Sequence, residues 1–164
     1  MTFGHLLVPT DFSEPADAAL QYAQVPADQL IAEQVVTGHA RAIVTSHLIE
    51  VASSDQHTVK PWLSARLPFS PTVTDLSSQG FELVGGRLDY LGGEPVATLV
   101  YKRREHVIDV YVSRGERKTR GGARDGFNLE SFSAGGLRYL AVSDLNRNEL
   151  ADFARLLEKA SSAS

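Results

Sequence analysis

Residues 53–62 read SSDQHTVKPW and bring Ser53, Ser54, Asp55, His57, Lys60 and Trp62 within one short stretch. Serine, aspartate and histidine are the parts of a nucleophilic triad. A triad must also align its members in space beside an oxyanion hole, and near-adjacent positions in a chain seldom give that geometry. No G-x-S-x-G elbow accompanies them. As a metal ligand, His57 needs further donors, but His5, His39, His47 and His106 are scattered, with no H-x3-H or H-E-x2-H pairing. His39 and His47 lie about two turns apart on a predicted helix, too far to hold one ion between them. No catalytic residue, metal ligand or cofactor is expected.

Two uses of the stretch remain. As scaffold, Ser53, Ser54 or Asp55 ends a long preceding helix, and Lys60-Pro61 forces extended backbone, because the residue before proline avoids the helical region. Trp62 then lays its ring over the sheet or a helix, and His57 and Lys60 bond to backbone groups or to a carboxylate such as Asp89. As a binding surface, His57, Lys60 and Trp62 line a pocket for a small signal or meet a partner. Arg87 and Asp89, in GGRLDY, join them as candidate binding residues. By the two-residue period they share one side of a strand, where a cross-strand ion pair on a solvated face is the simplest use.

The elements that position these residues follow from patterning. A chain of 164 residues supports one domain with a proper core and an appendage. Its hydrophobic and charged fractions, 43% and 22%, argue against wholesale disorder. A net charge of -4 gives no reason to expect nucleic acid as a partner. The absence of cysteine removes disulfides, thiolate zinc sites and cysteine nucleophiles together. No stretch reaches the roughly 18 to 20 apolar residues of a membrane span, and no signal peptide is evident, so the expectation is a cytoplasmic chain.

Residues 3–23 predict a short strand (Leu6, Leu7, Val8) and a helix capped by Ser13, with Pro15 in its first turn. After Pro26, apolar positions Ile31, Val35, Gly38, Ala42, Thr45 and Ile49 predict one long amphipathic helix from about Asp28 to Val51. From Phe81 the period becomes two, with strands near 81–84, 87–91, 95–102, 107–113, 127–132 and 137–142 and hairpin turns in DYLGGEPV and FSAGGLRY. The basic run from Ser113 to Gly126 reads as a solvated loop, and KRREH (102–106) as a charged hairpin tip. Asn146 and Glu149 have capping-box spacing ahead of the stripe Leu150, Phe153, Ala154 and Leu157. Asp144 joins Asn146 as a cap, and the terminal SSAS is expected to fray. The expected fold is α+β, a long N-terminal helix and a C-terminal helix packed on an antiparallel meander sheet of five to six strands. Residues 1–26 form an appendage and 27–160 the main domain.

Two resemblances emerge from these segments. VPTDFSEPA, Val8 to Ala16, resembles the opening of the universal stress protein family. That likeness implies that Asp11 lies near an adenine nucleotide in the members that bind ATP. The family's G-x2-G-x9-G-[ST] phosphate loop is missing, since no two glycines here stand three apart. The second likeness covers roughly residues 35–157. VASSDQHTVKPW (51–62), FSPTVTDL (69–76), GFELVGGRLDYLGGEPVATLVYKRREHVIDVYV (80–112) and YLAVSDLN (139–146) are together similar to the extracytoplasmic domain of a family of bacterial transmembrane anti-sigma factors. The resemblance implies a non-enzymatic regulatory or sensor domain, periplasmic in that family, whose partner is an extracytoplasmic-function sigma factor or its anti-sigma complex. The family's H-x3-C-x2-C zinc motif and its membrane helix have no counterpart in this sequence.

Overall fold

Every second residue of the central strands must face one side of the sheet, so a strand that is apolar throughout needs cover on both sides. VATLVY (96–101) is such a run, and all six of its residues are buried. The structure, a computed structural model, describes residues 26–164. The strand and helix expected over residues 3–23, Asp11 included, lie outside the described residues.

The architecture is α+β. Helix α1 (Ala27–Val44) is followed by β1 (Val51–Ala52), helix α2 (Gln56–Ser64) and a short 3-10 turn (Ser77–Gln79). Strands β2 (Glu82–Leu91), β3 (Glu94–Arg103), β4 (His106–Arg114), β5 (Gly122–Arg124), β6 (Phe127–Ala134) and β7 (Leu137–Ser143) come next, and helix α3 (Arg147–Ser162) closes the chain. All seven strands join one antiparallel sheet in the order β1-β2-β3-β4-β7-β6-β5. The expected meander of five to six strands is therefore corrected. The chain meanders as far as β4, crosses to the far edge as β5, and returns through β6 to set β7 beside β4. The paired glycines at 92–93 and 135–136 turn their hairpins as the sequence predicts, both residues of each pair having positive φ.

One face of the sheet carries α2 and α3. Val59 and Leu63 of α2, and Leu150, Phe153 and Leu157 of α3, pack with Leu99, Tyr101, Ile108, Val110 and Tyr139. The other face carries α1, whose Ala32, Val35 and Val36 meet Val96, Leu129, Leu140 and Val142. Burying a Val or Leu side chain contributes about 1.5–3 kcal/mol, so the apolar stripes of the helices hold both layers to the sheet.

Helix α1 is shorter than expected, and the reason is local. Ser46 adopts a left-handed φ of 55°. The His47 amide donates to the Ala42 carbonyl at 3.0 Å and the Ser46 amide to the Ile43 carbonyl at 3.2 Å, a Schellman closure that ends the helix at Thr45. The chain is then free to form β1, which crosses β2 so closely that a Cβ on Gly85 would stand 2.2 Å from the Val51 carbonyl oxygen. Gly85, at φ 156°, also marks the register shift in β2, so that single position sets both the bulge and the close approach of β1.

The region expected to be extended around Lys60-Pro61 is instead helix α2. Asp55 caps it, Oδ1 accepting the His57 amide at 2.8 Å. Pro61 lies inside the helix and forgoes one backbone bond. The complete burial of Val59 and Leu63 against the sheet outweighs the local preference of a residue before proline.

Helix α3 begins as its sequence predicts, with Asn146 Oδ1 accepting the Glu149 amide at 3.0 Å. Asp144 does not cap it but pairs with His106 at 2.9 Å. Helix α3 runs to Ser162, into the segment expected to fray, and Ser161 is buried. The hairpin tip KRREH is tied to the start of α3, where Arg103 and Arg104 both reach the Glu149 carboxylate. Hydrogen bonds from Arg104 and then Arg103 lower the Glu149 carboxyl to about 2, from an ordinary 4.5. Because the folded value lies below the unfolded one, this contribution is complete above the ordinary value and is lost as pH falls from 4.5 toward 2. Thermal melts between about pH 5 and about pH 2 should show Glu149→Gln losing less stability on acidification than the parent chain.

Candidate functional site

Beneath α1 the sheet presents a row of polar side chains in an apolar layer. Arg87 and Asp89 project from β2, Thr98 from β3, and Asp109 and Tyr111 from β4, while His39 reaches down from α1. The register places Thr98 opposite both Arg87 and Tyr111, so neighbouring strands bring the group together at one level.

Arg87, only 2% exposed, is the centre of the group. Its guanidinium donates five hydrogen bonds: Nε to Asp89 Oδ2 at 2.7 Å, Nη1 to the Leu48 carbonyl at 2.9 Å and Asp109 Oδ1 at 3.3 Å, and Nη2 to Asp109 Oδ2 at 2.7 Å and the Tyr111 hydroxyl at 3.2 Å. The planar fork of arginine suits this two-point grip on a carboxylate. Burial works against the Arg87 charge, but hydrogen bonding and attraction to Asp109, helped by Tyr111 and Asp89, outweigh it and hold the group above its ordinary value. Burial likewise pushes the Tyr111 phenol up, reinforced by Asp109 and Asp89, so its hydroxyl keeps its proton.

His39 and Asp109 are both fully buried, with Nδ1 of the ring 2.9 Å from Asp109 Oδ2. Beside a carboxylate, Nδ1 carries the proton and donates it. The ring stands edge-on to Phe127, and its Nε2 has no hydrogen-bond partner among the described residues. Gly38 lets the helix come this close: a Cβ there would lie 2.7 Å from the Tyr111 hydroxyl. A glycine inside a helix costs about 1 kcal/mol relative to alanine, which here is offset by the approach it permits.

Asp89 is the one member of the group that reaches solvent, its side chain 28% exposed. It faces a groove of about 470 Å³ between α1 and the sheet, lined also by Gln34, Thr37, Arg41, Tyr90 and Tyr111.

The candidate binding residues named from the sequence do not converge. Arg87 and Asp89 share one side of β2 as expected, but their face is not solvated, because α1 covers it. His57 and Lys60 lie on α2, across the sheet, so neither meets Asp89. Both are exposed. They line a separate groove of about 380 Å³ with Pro61, Thr74, Ala160 and Ser164, where the end of α3 passes α2. Trp62 is not part of that groove. It is half-buried against the core, with the Arg66 guanidinium 4.1 Å from its ring centroid.

The basic run from Ser113 to Gly126 is partly structured. It contains β5, and it ties to α1 through Arg124 with Glu33 at 2.9 Å and Arg117 with Asp28 at 3.4 Å. Among the described residues, no three His, Asp or Glu side chains gather where they could hold a metal ion. Among the same residues, no helix is long and apolar enough to cross a membrane.

Comparison with known proteins found no matching family model, no similar curated protein and no similar solved structure.

From the sequence His39 is weighed only as a scattered metal ligand and Asp109 is not named, although Asp109 interrupts the apolar run VIDVYV and so announces a buried charge in need of a partner. Removing one partner from such a pair leaves the other buried and unpaired, at a cost of about 3–5 kcal/mol. Asp109→Ala is therefore expected to destabilise the domain by about that amount in urea unfolding. The double replacement Arg87→Met with Asp109→Leu should cost less than Asp109→Ala alone, because it strands no charge between the two.

Proposed function

We propose that this chain is a non-enzymatic regulatory domain of the kind carried outside the cytoplasm by bacterial transmembrane anti-sigma factors. In this reading it controls an extracytoplasmic-function sigma factor through protein contacts. The ordered series of sequence blocks between Val35 and Leu157 is the reason for naming that class.

The observation that carries a regulatory reading is the way α1 is held. Beyond its apolar packing, polar and directional bonds fix it in register: His39 to Asp109, the Gly92 amide to the Gln34 side-chain oxygen, and Arg87 to the Leu48 carbonyl beyond the helix end. In the resembled family the membrane helix precedes this domain, so in those proteins a helix at the leading side of the domain is placed to carry a signal between the two. A register set by directional bonds favours discrete arrangements over gradual sliding, as a two-state element requires.

The surface of α2 is the proposed partner contact. His57 and Lys60 are exposed, one turn apart, beside the α3 terminus. Replacing both with alanine is expected to leave the melting behaviour nearly unchanged, within the roughly 0.5 kcal/mol typical of surface substitutions. The same variant should weaken control of the sigma-dependent transcripts when it replaces the parent gene in its own cell. Lowered thermal stability with unchanged control would make the pair scaffold. If deleting the gene alters no sigma-dependent transcripts, the anti-sigma reading fails.

A further inference from the structure

We propose that the groove between α1 and the sheet binds a small zwitterion, an α-amino acid with an apolar side chain, whose ammonium group meets Asp89 and whose carboxylate meets Arg41. The groove lies across the sheet from the His57 and Lys60 surface, and binding there does not depend on which partner the domain controls.

The charge arrangement points to this ligand. Among the described residues both hydrogen bonds to Asp89, from Arg87 Nε and from the Thr98 hydroxyl, fall on Oδ2, and Oδ1 receives none. Behind Asp89 the Arg87 guanidinium is shared between two carboxylates, Asp89 and Asp109, so Asp89 does not have that cation to itself. Arg41 lines the same groove from α1, exposed, and its guanidinium makes no side-chain bond among the described residues. Asp89 and Arg41 are not within ion-pair distance of each other, although they share about 470 Å³ of space. Glu33 lines the groove as well, but its carboxylate is paired with Arg124 at 2.9 Å, so Asp89 and Arg41 are the two opposite charges that fit a molecule carrying both.

The remaining walls suit the rest of an amino acid. Tyr90, 71% exposed, and Leu30, 37% exposed, offer apolar surface to a side chain. The absent side chain at Gly38 leaves room for the Tyr111 hydroxyl at the floor, against the helix. The volume lies within the usual range for small-molecule sites, about 300–1,000 Å³.

Isothermal titration of the full chain with L-alanine, L-valine, L-leucine and L-phenylalanine tests the proposal. At least one should bind, with isoamylamine and isocaproate, each carrying one of leucine's two charges, about tenfold weaker or more than leucine itself. Arg41→Gln and Asp89→Asn should each weaken binding by a similar factor. Arg41→Gln alters an exposed side chain and so tests the site without disturbing the buried group. Failure of all four amino acids to bind at about 10 mM overturns the proposal. So does binding that Arg41→Gln leaves unchanged, or isoamylamine binding as tightly as leucine.

Discussion

The pairing of Arg87 with Asp109 under α1 is the constraint on which the rest of this face depends. A guanidinium removed from water loses several kcal/mol of hydration and recovers it only when every donor is matched. Here the matches come from four residues in three parts of the chain: one on β2 itself, two on β4, and one in the segment after α1. A shift of α1, a slip of β2 against β3 or an altered exit from the helix would each strand a donor. The apolar layer supplies most of the cohesion, and the polar group selects one arrangement from those the apolar layer alone would tolerate.

The opposite face is built differently. There α2 and α3 lie on an apolar surface in which Phe81, Tyr101 and Phe153 meet with ring centroids near 5 Å. Tyr101 sends its hydroxyl to the Thr74 carbonyl at 2.7 Å, so even this aromatic layer is anchored to the loop that crosses it. The contrast divides the labour: one face is a continuous core, and the other combines a core with a specifying polar group that opens to solvent at Asp89.

How much of this was legible in the sequence follows from the range of each interaction. Gly92–Gly93, Gly135–Gly136, the Asn146 cap and the stripe along α3 act over a few residues, and all stand where the patterning puts them. The end of α1 was misread because a serine, not a glycine, takes the left-handed position. Helix α2 was misread because Lys60-Pro61 argues locally for extended backbone, whereas Val59 and Leu63 answer to a sheet formed later in the chain. The polar group was hidden by distance, since His39 and Asp109 are separated by 70 positions. Each of its members had an ordinary explanation alone, the histidine as part of a helix and the Arg87 and Asp89 pair as surface charge. Only the register of β2, β3 and β4 makes them one object.

The sheet's margins bear on how the molecule behaves in company. An exposed strand edge offers unpaired amides and carbonyls to any other chain, and long bare edges recruit copies into fibres. Here the outermost strands are two and three residues long. Past the end of β1, the Leu88 amide is taken by the Glu50 carboxylate at 3.0 Å, and the Gly92 amide at the following turn by the Gln34 side-chain oxygen at 2.8 Å. Those groups, already engaged and in one case guarded by a charge, are poor templates for another strand. Along the β2 side, the border of the sheet is thereby made a poor seat for the self-association that its long, apolar inner strands would otherwise invite.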